Sequence, residues 1–224
     1  MVHNKGSDKV KEIHLLPRII MMVMGLLCMT FGIVLSCKAY LGTTPISSLP
    51  LVLSMCTPWS FGEVTIILNI AFVVVQPLLM KEVYWRELIG QVLTTLFFGN
   101  MIDWFMNLLD AVVPVNLFEQ WGLCLLSVVF IAFGVFLCVR AKIFMAAGEG
   151  IVIAIAFAIK KEFSLIKNCF DISLVLISII ISIYEFGTLS GVGIGTIAGA
   201  VLVGRMVALY QNKLKFFDRW SVEN

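Results

Sequence analysis

Charge is scarce in this chain. Lys, Arg, Asp and Glu make up 13% of its 224 residues while 60% are hydrophobic, against about 25% charged in soluble domains. A small water-soluble domain leaves too much surface exposed to hide that many apolar side chains, so a bilayer is the solvent the composition asks for. The net charge of +2 gives no argument for nucleic acid. Histidine is nearly absent: His3 and His14 precede the first apolar run and have no partner at ligand spacing. The six cysteines (Cys28, Cys37, Cys56, Cys124, Cys138, Cys169) include no CxxC and no Cys/His cluster. They read as free buried thiols, not as a metal site or a disulfide framework. No nucleotide loop, HExxH or Ser/His/Asp order is present, so nothing points to an enzyme or a cofactor.

What is present is a set of long apolar runs. The first goes from Pro17 to Ala39. Val34-Leu35-Ser36-Cys37 loosely matches a lipoprotein cleavage box. The run exceeds the 7–15 residues of a signal core, however, and it has a twin further on, so it is expected to be a retained transmembrane helix. Five more runs reach spanning length, which takes ~20 residues: Phe61–Met80, Arg86–Ala111, Glu119–Arg140, Ile166–Phe186 and Gly191–Gln211. Two others are shorter, Pro45–Cys56 and Gly148–Lys160. A helix of that size covers ~20 Å of the ~30 Å hydrocarbon core. These two are expected to be re-entrant or interfacial.

Basic residues fit six spans. Fourteen of the sixteen Lys and Arg then fall on one side: in the N-terminal segment up to Arg18, at Lys81 and Arg86, between Arg140 and Lys167, and in the C-terminal segment from Lys213. The exceptions are Lys38 and Arg205. By the positive-inside rule both termini are cytoplasmic. Trp59, Trp104 and Trp121 fall at outer ends, and Tyr84, Trp85 and Tyr210 at inner ends, as an aromatic belt should.

The chain also repeats itself. At an offset of about 102, Phe31-Gly32 matches Phe133-Gly134, Lys38 matches Arg140, and Asn69 matches Asp171; at about 105, Ile89-Gly90 matches Ile194-Gly195 and Gly99 matches Gly204. Each half reads long, short, long, long. Three spans per half is an odd number, so the second half runs inverted. Inverted repeats with a discontinuous helix in each half are a plan of secondary transporters, with the site between the halves. The expected organisation is a cytoplasmic tail over residues 1–16, a first membrane repeat over 17–112, a second over 113–212 and a cytoplasmic tail over 213–224.

Candidate site residues lie at the interruptions. Gly42-Thr43-Thr44-Pro45-Ile46-Ser47-Ser48 puts four hydroxyls at a helix start inside the membrane. Such a start carries unpaired donors and partial positive charge, which suits an anion or carboxylate. The plainer reading is N-capping by Thr44. Gly148-Glu149-Gly150 puts a carboxylate at the corresponding turn, either a proton or cation site or an acid stabilised by the helix dipole. Lys167 and Asp171 share a helix face, which Ser178 and Ser182 continue. Asn69, Asn100 and Arg205 are further polar groups within apolar runs. Substrate binding is assigned to Thr43, Thr44, Ser47, Ser48, Asn69, Asn100 and Arg205, and ion coupling to Glu149, Asp171 and Lys167. The plain alternative for each is polar glue between helices, about 0.6–2 kcal/mol per contact. Gly191, Gly195 and Gly199 form a GxxxGxxxG face, read as close helix packing or a sliding surface between the halves.

Several of these residues have a family look. Gly42-x-x-Pro45-Ile46-Ser47-Ser48, Gly62 with Asn69, Gly148-Glu149-Gly150, Lys167 with Asp171, and Gly193-Ile194-Gly195-Thr196 resemble the YitT/YczE family of bacterial inner-membrane proteins. The similarity runs from about residue 18 to 212. It implies a small polytopic protein of the bacterial inner membrane and little about its chemistry.

The expectation is an all-α, six-span membrane protein that moves a small polar solute, anionic or zwitterionic, by alternating access with proton or cation coupling. Its partners are the lipid bilayer and the solute, and the pattern admits a homodimer. Two other classes fit the size. One is a substrate-binding subunit of a multi-component importer, against which stands the lack of an Ala-x-x-x-Ala docking face in the first run. The other is a scaffold or regulator that transports nothing.

Overall fold

The computed structural model describes residues 5–81 and 84–214. Much of the expected C-terminal tail, with Lys215 and Arg219, lies outside them. Eight helices follow one another, and no strand occurs among the described residues. They are α1 (Lys5–Lys38), α2 (Pro45–Cys56), α3 (Phe61–Met80), α4 (Trp85–Leu108), α5 (Leu117–Ala141), α6 (Ala147–Ile159), α7 (Phe163–Phe186) and α8 (Ile194–Lys213). The expected N-terminal tail is helical from Lys5 and continuous with α1 through Pro17.

Helix ends follow local chemistry. α2 starts on Pro45, whose missing N–H costs nothing in a first turn. α3 starts with a capping box: Glu63 N–H donates to Ser60 Oγ at 3.0 Å, and Ser60 N–H to Glu63 Oε2 at 2.8 Å. At α5, Glu119 N–H donates to the Asn116 side chain at 2.9 Å. Lys81, Lys142 and Lys160 close α3, α5 and α6 in the left-handed region, and Gly187 does the same for α7.

Among the described residues, five helices are long and apolar enough to cross a membrane: α1 from Leu15, and α3, α5, α7 and α8. α4 has the length, 24 residues, but carries Arg86, Glu87, Gln91, Asn100 and Asp103 and is less apolar. α2 and α6, at 12 and 13 residues, are too short.

α1 and α5 form the centre and have the most extensive contact in the molecule. They approach this closely because glycines face each other. A Cβ on Gly134 would lie 2.5 Å from Gly25 O, and one on Gly25 2.9 Å from Gly134 O. In lipid, helix association draws on such packing and not on hydrophobic burial. Around this pair, α4 packs on α1 and α8 on α5; α3 packs on α4 and α6; α7 packs on α2 and α6; α2 also meets α3. One buried cluster joins Ile33, Val34, Leu51, Phe61, Ile102 and Ile131, and a second joins Ile151, Val152, Ala156 and Ile166. Lys38, one exception to the basic-residue pattern, pairs with Asp110 at 3.4 Å.

Candidate functional site: a cavity where two short helices start

The turn into α2 is tightly bonded. Gly42, at φ +97°, sits where a Cβ would lie 2.4 Å from Gly193 N. Ser36 Oγ donates to Gly42 O at 3.1 Å, Thr43 N–H to Gly191 O at 3.3 Å, and Gly195 N–H to Leu41 O at 2.7 Å. The glycine face of α8 therefore packs on this turn, and Gly191 also meets Val52 of α2. Thr44 takes the N-cap position, but its hydroxyl donates to Ser47 Oγ at 3.1 Å instead of capping the backbone. Ser48 Oγ donates to Pro45 O at 2.7 Å and lies 3.1 Å from Ser178 Oγ. Thr43 is fully buried.

The turn into α6 is held differently. Arg18 Nε donates to Ala141 O at 2.8 Å, and Arg18 Nη2 donates to Lys142 O. Phe144 fills the space that a side chain on Gly90 would need. Behind the turn, Gln76 and Gln91 pair amide to amide at 2.8 and 3.1 Å, both buried, and Gln76 Nε2 reaches Ala147 O at 3.5 Å.

The two starts meet. A Cβ on Gly148 would lie 2.3 Å from Ile46 Cδ1. Beside this junction is a cavity of about 480 Å³, within the range of small-molecule sites. Met22, Leu26, Met29 and Ile33 follow one face of α1 along it, a depth of about 16 Å at 1.5 Å per residue. It reaches the exposed residues Glu87, Lys142 and Met145 at one end, and Ser47 and Pro50 of α2 line it too. The first N–H groups of a helix have no partner within the helix, and its start carries about half a positive charge. Both α2 and α6 turn that end towards the cavity.

Of the candidates from sequence, Ser47, Asn69 and Glu149 line this cavity. Thr44 and Ser48 stand behind Ser47 in the α2 start, spent on internal hydrogen bonds, and Thr43 does not line it. Lys167 and Asp171 form an ion pair within α7 that is not part of the wall, although Lys167 acts electrostatically on Glu149. Asn100 is exposed and its amide donates to Leu96 O at 2.7 Å. Arg205 is exposed on α8 and lies outside the cavity. No group of three or more His, Cys, Asp or Glu that could hold a metal occurs among the described residues.

Sequence reasoning missed Thr95, which is 4% exposed and lines the cavity. The signal was there: Gln91, Thr95, Gly99 and Ile102 are all buried and stand four, four and three apart, one face of α4.

Long apolar helices in this arrangement define a multi-pass α-helical membrane protein. The chain belongs to a family of unknown function, DUF6198, whose family model matches residues 16–212. No curated protein and no solved structure matches it.

Proposed function

We propose that this chain is a membrane transporter of a small polar solute, anionic or zwitterionic, working by alternating access. In this reading α4 is the sixth span, and residues 17–112 and 113–212 are inverted repeats in a bacterial inner membrane, with both termini cytoplasmic. It is a relative of the YitT/YczE proteins. Glu149, the more buried of the two acids in the cavity wall, is the first candidate for proton or cation coupling.

The observation that carries this reading is the meeting of the two short helix starts at one cavity. Helix packing supports the repeat. Exchange the halves, so that α1–α4 become α5–α8 and the reverse, and most packed pairs map onto packed pairs: α3 on α6 onto α7 on α2, α1 on α4 onto α5 on α8, α2 on α3 onto α6 on α7. α3 on α4 is the exception, since α7 and α8 hardly touch. A two-fold plan with one broken pair is what a transporter caught with one side open would have. The cavity reaches Lys142 and Glu87, at the cytoplasmic end under the positive-inside rule, so this is the inward-open form.

Reconstitution tests it. Liposomes containing the protein, with proton and sodium gradients imposed, should move at least one small polar solute, and Glu149→Gln should reduce that flux. No flux of any solute under either gradient, with Glu149→Gln and Asp171→Asn leaving the cell phenotype intact, sinks the proposal.

A further inference from the structure

Several of the polar groups lining the cavity are already satisfied. Thr65 donates to Phe61 O, Thr94 donates to Gly90 O, and Lys142 is engaged elsewhere. Besides Glu87 at the exposed end, four deeper groups keep unused capacity, one from each of four helices. The Thr95 hydroxyl, on a residue 4% exposed, makes no hydrogen bond among the described residues. Asn69, half-buried, has its whole amide free. Ser47 accepts from Thr44 and keeps its own proton. Glu149, half-buried, is in no ion pair among the described residues. Because they face the cavity, these groups are open to whatever fills it, and a ligand that bonds them replaces water there.

The rest of the wall narrows what that is. Met22, Met29, Phe72, Phe98 and Leu174 are apolar, so a solute that is polar all round would lose its hydration there without replacement. A bare anion would face Glu149. A bare cation would satisfy Glu149 but would point its charge at two helix starts of the same sign. A molecule with both charges and an apolar body meets every condition.

We infer that the site takes a zwitterion with an apolar side chain, of which an apolar α-amino acid is the simplest. Its ammonium lies at Glu149 and its carboxylate at the N–H groups of Ile46, Ala147 and Gly148, since Pro45 has none and those of Ser47 and Glu149 already donate to Thr44 O and Ala146 O. Thr95, Asn69 and Ser47 supply neutral hydrogen bonds, and the side chain lies along the α1 face. This inference rests on the transporter reading and names its substrate class.

The test uses the full chain in detergent micelles with four calorimetric probes: L-leucine, 3-methylbutylamine (the amine alone), 4-methylpentanoate (the carboxylate alone) and L-glutamate. L-Leucine is expected to bind, with each half-molecule about tenfold weaker or more, the worth of one charge-assisted contact. Glu149→Gln should weaken L-leucine by about tenfold or more, and Thr95→Val or Asn69→Ala by about threefold to tenfold. Ser173→Ala, on an exposed position of α7, should leave it unchanged. Each variant is first checked for an unaltered size-exclusion profile, and Asn69→Ala or Thr95→Val decides if Glu149→Gln does not fold. The substrate class is overturned if the amine binds as well as L-leucine, if L-glutamate binds better, or if another solute moves in liposomes while L-leucine does not bind. The transporter reading survives those results. It falls, and this inference with it, on the liposome result alone: no flux of any solute, with Glu149→Gln and Asp171→Asn leaving the cell phenotype intact.

Discussion

The turns that lead into α2 and α6 occupy corresponding places, yet one is a seam and the other a wedge. Into α2, backbone meets backbone: Thr43 N–H reaches Gly191 O and Gly195 N–H reaches Leu41 O. Into α6, the ring of Phe144 stands against Gly90. Opening the first would strand peptide groups in a medium that cannot hydrate them, at several kcal/mol each. Swinging a ring away strands none. The cavity reaches the surface on the wedge side, so the side that is open is the one whose closure is made of side chains.

The largest effect should come from the seam. Gly42→Val places a β-branched residue at φ +97°, with Cβ 2.4 Å from a backbone nitrogen that cannot move aside. Its expected cost is about 4 kcal/mol or more, seen as loss of the monodisperse species in detergent. Phe144→Ala removes a half-buried ring. It should cost roughly 1–2 kcal/mol, below the 3–5 of a fully buried Phe, and leave the protein folded. Equal costs for the two would erase the distinction between seam and wedge.

A second effect probes what the wedge side has in place of a seam. Among the described residues, the Gln76 and Gln91 side-chain amides bond only to each other and to Ala147 O. Gln76→Leu leaves the Gln91 amide buried and unpaired, at about 1–3 kcal/mol. Adding Gln91→Leu should recover part of that loss, because two apolar partners leave nothing unsatisfied. Thermal midpoints of the two single variants and the double variant give the coupling. Additive costs would mean that the amides act separately.

Much of this contrast is legible in the amino-acid sequence. Lengths of 12 and 13 residues against ~30 Å of hydrocarbon separate α2 and α6 from spans. Spacing alone placed Ser47 and Glu149 at corresponding starts. It did not tell which hydroxyls were already used. Ser48 faces Ser178 across 130 residues, a distance no local pattern reaches. The face of Gln91, Thr95 and Gly99 on α4 is visible as polar or small residues four apart, but a helix in lipid lacks a wet side to set it against, so spacing alone does not mark Thr95 as cavity-lining. The α8 glycines were readable as a packing face, though not that their partner is the turn at Leu41–Gly42. Arg205 was read as cavity-facing because an arginine in an apolar run is costly. The structure leaves Arg205 exposed near the middle of α8, on a face that does not line the cavity, where its long side chain can run along the helix towards the interface.

The smallest effects test the other half of the contrast, the packed pair α3–α4 against the loose pair α7–α8. Gly62 and Gly99 let α3 and α4 touch: a Cβ on Gly62 would lie 2.1 Å from Gly99 O, whereas one on Gly204, the repeat partner of Gly99, would meet nothing within 4 Å. Asp103 completes the packed pair from α4, accepting from Ser60 Oγ at 2.5 Å and from Gly62 N–H at 2.7 Å. A carboxylate at a helix start, hydrogen-bonded in this way, contributes about 1–2 kcal/mol, so Asp103→Asn should lower the stability by that much, seen as a lower thermal midpoint. Arg205→Gln, one residue past Gly204, removes an exposed charge that makes no hydrogen bond or ion pair among the described residues, and should stay within about 0.5 kcal/mol. If Arg205→Gln proved as costly as Asp103→Asn, α7 and α8 would have to be joined through that arginine under the conditions measured. The protein would then be resting mainly in a form where the second pair is closed, and the cavity that reaches Lys142 would belong to its minor state.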